Sequence, residues 1–199
     1  MNDLTRGEGA YEKTLTAFKI AKGAGMKVIF HTVLTKHNVQ HIDFILDLSS
    51  RLHAGVRFGP VYYIHNLHSL DGIISSLFPA QEDYSWVIDR LIYAKRKGGL
   101  IVNSFSALQH MRHWPRPSSA PCYGGKAFCH ISPDGRLYPC AGLEHKNDSQ
   151  VHINNSFEST FNALPNITSC DGCWCSGTLE FNLALAFKPA AVFALAKLA

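Results

Sequence analysis

The chain has 199 residues, 46% of them apolar, and 19 lysines and arginines against 15 aspartates and glutamates give it a formal charge of +4. That is enough apolar material for one cored domain, or for a domain portion with an appendage, and it excludes a disordered chain. The positive charge is scattered rather than gathered into a stripe, which argues against a nucleic-acid partner. The longest apolar run, residues 179–199, is interrupted by Glu180, Lys188 and Pro189, which argues against a membrane span.

The opening residues, MNDLTRGEGAYEK, lack the charged-then-apolar pattern of an export signal, so the expected compartment is the cytoplasm. Over residues 11–24, Tyr11, Leu15, Phe18 and Ala21 fall on one helical face, and Gly23 and Gly25 supply the stop. Residues 27–34 (KVIFHTVL) change the period. Their β-branched and aromatic side chains predict a strand covered on both faces. A polar loop at 35–38 leads into a helix over 42–52, with Ile42, Ile45, Leu46 and Leu48 inward.

A second strand is predicted over 56–64 (VRFGPVYYI), and a helix over 83–97 with Trp86, Ile88, Leu91 and Ile92 as its apolar residues. A short strand at 100–103 and a short helix at 104–113 follow, until Trp114-Pro115-Arg116-Pro117 breaks the pattern and sets a boundary between 1–113 and 114–199. The alternation predicts the α/β class with parallel βαβ units. Two long strands neither close a barrel nor protect both edges of a sheet, so the 56–64 strand is expected to show an open, association-prone edge.

All six cysteines lie between Cys122 and Cys175. In a reducing compartment such clustering points to metal rather than to disulfides. Between strands at 126–132 and 136–140, Pro133-Asp134-Gly135 predicts a hairpin with a three-residue loop, since Pro133 fixes φ near −65° and Gly135 accepts the left-handed position. That loop pairs Ser132 with Arg136, sets Phe128 opposite Cys140 and turns Cys129 to the other face. A two-residue loop would instead make Cys129 and Cys140 neighbours. Farther on, Cys170-x-x-Cys173 has the spacing that lets two thiolates reach one metal.

Cys122, twelve intervening residues, Gly135, four more and Cys140, followed by Cys170-x-x-Cys173, resemble the SPASM/twitch extension of radical S-adenosylmethionine enzymes. Arg6-Gly7-Glu8-Gly9-Ala10-Tyr11 resembles that family's R-G-x-G-x-aromatic stretch, and residues 27–38 and 57–63 resemble its fifth and sixth barrel strands. The resemblance implies the C-terminal part of a partial (β/α)6 TIM-like barrel over 1–113, then a small cysteine-rich β-hairpin with helices over 114–199. Six cysteines are too few for two full clusters. They imply the shorter twitch version with one auxiliary [4Fe-4S] cluster on Cys122, Cys140, Cys170 and Cys173. Cys129 and Cys175 are left open between further ligands and small buried hydrophobes.

Strand ends of such barrels face cofactor and substrate, so the resemblance also implies His37, Asn38, Tyr63 and His65 as cofactor-binding candidates, the alternative being polar loop residues at the rim. Trp174 is expected to shield the cluster or simply to pack. No cysteine precedes Cys122, so the C-x-x-x-C-x-x-C motif that cleaves S-adenosylmethionine is missing, and the chain alone is not expected to be catalytic. S-adenosylmethionine then belongs to a full-length parent, as does a peptide or small-molecule substrate, and a partner chain could supply the missing barrel half. The competing function is a non-catalytic zinc module, because four thiolates also satisfy tetrahedral zinc.

Overall fold

Two parallel strands, β1 (Ile29–Leu34) and β2 (Gly55–Pro60), form the centre of the α/β body and pair in register from Ile29 with Gly55 to Leu34 with Pro60. The computed structural model of the chain describes residues 2–61, 75–144, 150–153, 156–167, 170 and 173–196. Before the strands come α1 (Asn2–Arg6) and α2 (Ala10–Gly23). Phe18, the buried residue of α2, stacks on Phe30 of β1 with ring centres 4.9 Å apart. Helix α3 (Ile42–Arg51) connects β1 to β2 and buries Ile42, with Ile45 and Leu46 packed against the core.

Helix α4 (Gln81–Arg96) buries Tyr84, Val87, Ile88, Leu91 and Ile92, a stripe at three- and four-residue spacing. Trp86 is off that stripe and 52% exposed. Helix α5 (Phe105–Met111) buries Ala107, Leu108 and Met111, and the Ser104 hydroxyl caps its start by accepting from the Ala107 N–H at 3.0 Å. Trp114, read from the sequence as the first residue of a linker, is 3% exposed and packs on Phe78 and Tyr84.

The Cys-rich part holds a three-stranded antiparallel sheet of β3 (His130–Ile131), β4 (Arg136–Tyr138) and β5 (Val151–His152) in the order β3-β4-β5. After it come α6 (Phe157–Asn162), capped by Ser156, then α7 (Ser176–Leu185) and α8 (Pro189–Ala196). Leu179 and Leu183 of α7 and Ala191 of α8 join one core with Leu34, Phe58, Leu91, Leu108 and Met111. A single core therefore crosses the division expected at 113/114. Each fully buried aliphatic or aromatic side chain in it contributes about 1.5–3 kcal/mol.

Two strand-level expectations are corrected. Among the described residues β1 is covered mainly on the face that carries Phe30 and Leu34; on the other face Ile29 and His31 are exposed, and only the start of α7 approaches, Ser176 lying 3.3 Å from His31 Nε2. The outer edge of β2 is not open either. The Val56 N–H donates to the Leu100 carbonyl at 2.8 Å, the Val102 N–H donates to the Val56 carbonyl at 2.9 Å, and Ile101 bridges to Val56 in parallel. One residue along, the Asn103 side chain takes the place of a strand. Its Oδ1 accepts from the Phe58 N–H at 2.7 Å and its Nδ2 donates to the Phe58 carbonyl at 2.8 Å. Among the described residues, the edge without a strand neighbour belongs to β1. No described helix is long and apolar enough to cross a membrane.

Glu180 of α7 is 2% exposed, accepts from the Ser104 N–H at 2.7 Å through Oε1, and leaves Oε2 without a partner. Burial raises its pKa above 4.5, while the Ser104 contacts, Arg57 and Lys95 pull it partly back. A raised carboxyl favours the fold fully below its ordinary value, and that contribution is lost as pH rises through the folded-state pKa. Glu180→Gln cannot ionise. Its melting temperature relative to wild type is therefore expected to become more positive as pH rises above 4.5. A pH-independent difference in thermal melts would contradict this.

Candidate metal centre

Residues 122–140 fold back on themselves around the hairpin. His130 pairs with Tyr138 and Ile131 with Leu137, the Ser132 N–H donates to the Arg136 carbonyl at 2.9 Å, and Gly135 has φ +80°. The loop is thus the three-residue Pro133-Asp134-Gly135, with glycine where a side chain would be strained. Carried toward the open end, the register sets Phe128 opposite Cys140 and Cys129 opposite Pro139, as the loop length requires.

The chain before the hairpin lies against its end. A Cβ on Gly124 would stand 2.8 Å from the Pro139 carbonyl oxygen, so only glycine permits that approach, and it brings the Cys122 segment alongside Cys140. The same segment is tied to α7, where buried Asn182 accepts the Tyr123 N–H at 3.0 Å. Cys140 caps a 3-10 turn, Ala141–Leu143, and its sulfur accepts the Gly142 N–H at 3.4 Å. Cys175 stands at the start of α7, and the Cys173 thiol reaches the Cys175 carbonyl at 3.7 Å.

All six cysteines are thiols. Five of them form one electrostatic group. Burial pushes the Cys140 thiol up, and the charges of Cys122, Cys175 and Cys170 add to this while the Gly142 amide opposes it. Burial also pushes the Cys173 thiol well up, reinforced by Cys175, Cys140 and Cys122. Cys129 is different, because burial alone raises its thiol. Cys175, which the sequence left open, thus acts on Cys140 and Cys173 as Cys122 does, while the hairpin register turns Cys129 to the face opposite Cys140. As placed, no three His, Cys, Asp or Glu side chains among the described residues stand close enough to hold a single metal ion.

Of the strand-end candidates, His37 and Asn38 follow β1. The Asn38 amide is used locally, its Oδ1 accepting from the Thr35 N–H at 2.9 Å and its Nδ2 donating to the Val33 carbonyl at 2.7 Å. The His37 N–H meets the Thr35 hydroxyl at 3.3 Å. Tyr63 and His65 lie outside the described residues. Trp174 joins the main core and tilts against the His110 ring at 5.1 Å. Sequence reasoning passed over His31 and Arg57, paired in the middle of the two strands. Their signal was present, since each is a basic residue inside an otherwise apolar strand segment.

A PqqA peptide cyclase of Gluconobacter oxydans (strain 621H) is 28% identical to this chain over 142 residues, which is 69% of this chain and 37% of that relative. The chain thus matches less than half the length of this relative. No family model matches the chain, and no solved structure matches it.

Proposed function

We propose that this chain is the cluster-bearing C-terminal portion of a radical S-adenosylmethionine enzyme that modifies a peptide. In this reading Cys122, Cys140, Cys170 and Cys173 hold an auxiliary [4Fe-4S] cluster. What supports it is the packing of the 122–124 segment against the hairpin end that carries Cys140, through Gly124 on Pro139, together with the mutual hindrance to ionisation among Cys122, Cys140, Cys170, Cys173 and Cys175. The distant likeness to a peptide cyclase supports a peptide as the substrate.

The chemistry of the donors suits such a group, and binding would have to draw them closer than they stand. Thiolates are its ligands, and metal binding relieves the cost of holding several thiolates together, because the metal supplies the compensating positive charge. When bound and held by four thiolates, an auxiliary cluster supplies one-electron redox chemistry. Within the chain, Gly142 donates an amide to the Cys140 sulfur, which favours the thiolate and tunes its donor strength. Gly124 and Asn182 hold the Cys122 segment in reach of that sulfur. In this reading the cysteine set is auxiliary, and cleavage of S-adenosylmethionine is not assigned to it.

Anaerobic purification and metal analysis test the reading. The expected product is brown and carries about four iron and four sulfide per chain. A colourless protein with zinc and no sulfide would show the structural zinc module instead, and a metal-free protein after reconstitution would overturn both.

A further inference from the structure

Cys173, Trp174 and Cys175 run into the start of α7, and the middle residue fixes how the outer two are presented. Trp174 is 9% exposed and belongs to the main core, where its ring meets His110 at 5.1 Å. Cys175 is in extended backbone, with φ −65° and ψ 111°. Extended backbone alternates its side chains, so with Trp174 turned inward its two neighbours share the other side. The Cys173 thiol lies 3.7 Å from the Cys175 carbonyl, which keeps the two residues together.

This short segment is anchored at Trp174 and again at α7. The Leu179 N–H donates to the Cys175 carbonyl at 2.8 Å, and Ser176 is buried with its hydroxyl 3.3 Å from His31 Nε2. Cys175 immediately precedes a ten-residue helix that has no side-chain cap, and the positive end of a helix favours a thiolate. Cys170, by contrast, is exposed, while Cys173 and Cys175 are half-buried. The electrostatics agree with the geometry. Cys175 is the thiol that acts most on Cys173, ahead of Cys140 and Cys122, and on Cys140 the influence of Cys170 comes after those of Cys122 and Cys175.

We propose that Cys175 outcompetes Cys170 for one of the four thiolate places at the metal, so that Cys173 and Cys175 bind as a pair and Cys170 is left as an exchangeable surface thiol. This rests on the cluster reading and revises one ligand in it. The C-x-x-C spacing selects Cys170, whereas the fold favours Cys175. A thiol already held beside its partner loses less freedom on binding than one brought in from the surface.

The test is differential alkylation of the full chain. The anaerobically reconstituted protein and its chelator-stripped form are treated with iodoacetamide, and labelling of each cysteine is read by peptide mass spectrometry. Thiolates react, and a metal-bound thiolate is blocked. The ratio of stripped to loaded rate is expected to be about tenfold or more at Cys175, in step with Cys173 and Cys140, and less than about twofold at Cys170. Serine is a favoured residue before a helix, so Cys175→Ser is expected to fold, and in it the protection is expected to move to Cys170. Cys170→Ser is expected to keep its iron within about twofold of wild type, with the other cysteines labelled as before.

Protection of Cys170 with Cys175 labelled at its stripped rate, or equal protection of the two, would overturn the assignment. Iron and sulfide counted on the same sample then show whether the cluster reading survives without it. Full iron in Cys175→Ser with Cys170 still unprotected would also overturn it. If zinc is taken up instead of iron, the same ratios decide, since a four-thiolate zinc site poses the same choice. A chain that takes up neither metal overturns the cluster reading and this assignment together.

Discussion

Cys173→Ala and Cys140→Ala are each expected to lower iron incorporation by about tenfold or more, while Cys129→Ala keeps most of it. The difference follows from position. The Cys140 and Cys173 thiols are both raised further by neighbouring cysteines, whereas burial raises Cys129, which falls opposite Pro139 by register. Cys122 and Cys170, both exposed, are expected to show smaller losses, because Cys175 belongs to the same group and can substitute as a ligand. Iron and sulfide per chain, measured on anaerobically reconstituted variants, check this. Equal loss in Cys129→Ala and Cys173→Ala would show that the hairpin register does not select the ligands.

Asn103→Leu is expected to destabilise the fold by about 3 kcal/mol, the sum for two backbone groups orphaned at about 1–3 kcal/mol each. The side chain is fully buried and answers both the N–H and the carbonyl of Phe58, at the point where the 100–103 segment stops running beside β2. Leucine has the same branched heavy-atom skeleton and neither polar group. Aspartate keeps the acceptor for the Phe58 N–H but turns a second oxygen on the Phe58 carbonyl, so Asn103→Asp is expected to be at least as damaging. Urea unfolding reads both. An Asn103→Leu midpoint within about 0.5 kcal/mol of wild type, the range of an ordinary surface change, would contradict this account.

Local pattern made much of the chain legible. The α2 face of Tyr11, Leu15, Phe18 and Ala21 is its less exposed side. Proline and glycine in the 133–135 loop dictated the hairpin register two strands' length from the cysteines it sorts. What the sequence hid depends on distant segments meeting. Nothing in residues 100–103 announces that an asparagine side chain will finish a sheet edge, because that needs β2 beside it. Trp114-Pro115 reads as a break, yet Trp114 enters the core since Phe78 and Tyr84 leave a place for its ring. His31 and Arg57 were overlooked because attention went to strand ends, and only the pairing of β1 with β2 makes neighbours of residues so far apart in the chain.

Helix α7 starts at Cys175 and, within two turns, buries Leu179, Glu180, Asn182 and Leu183 against the α/β body and the Cys122 segment. For anyone assembling chimeras, this makes the cysteine-bearing half a poor cassette. Residues 114–199 moved to another scaffold would arrive with the underside of α7 bare and with Glu180 parted from Ser104, which stayed behind. The donor would keep Leu108 and Met111 without the lid they now share. The transferable segment begins upstream of α5, and a graft that respects this carries its own floor.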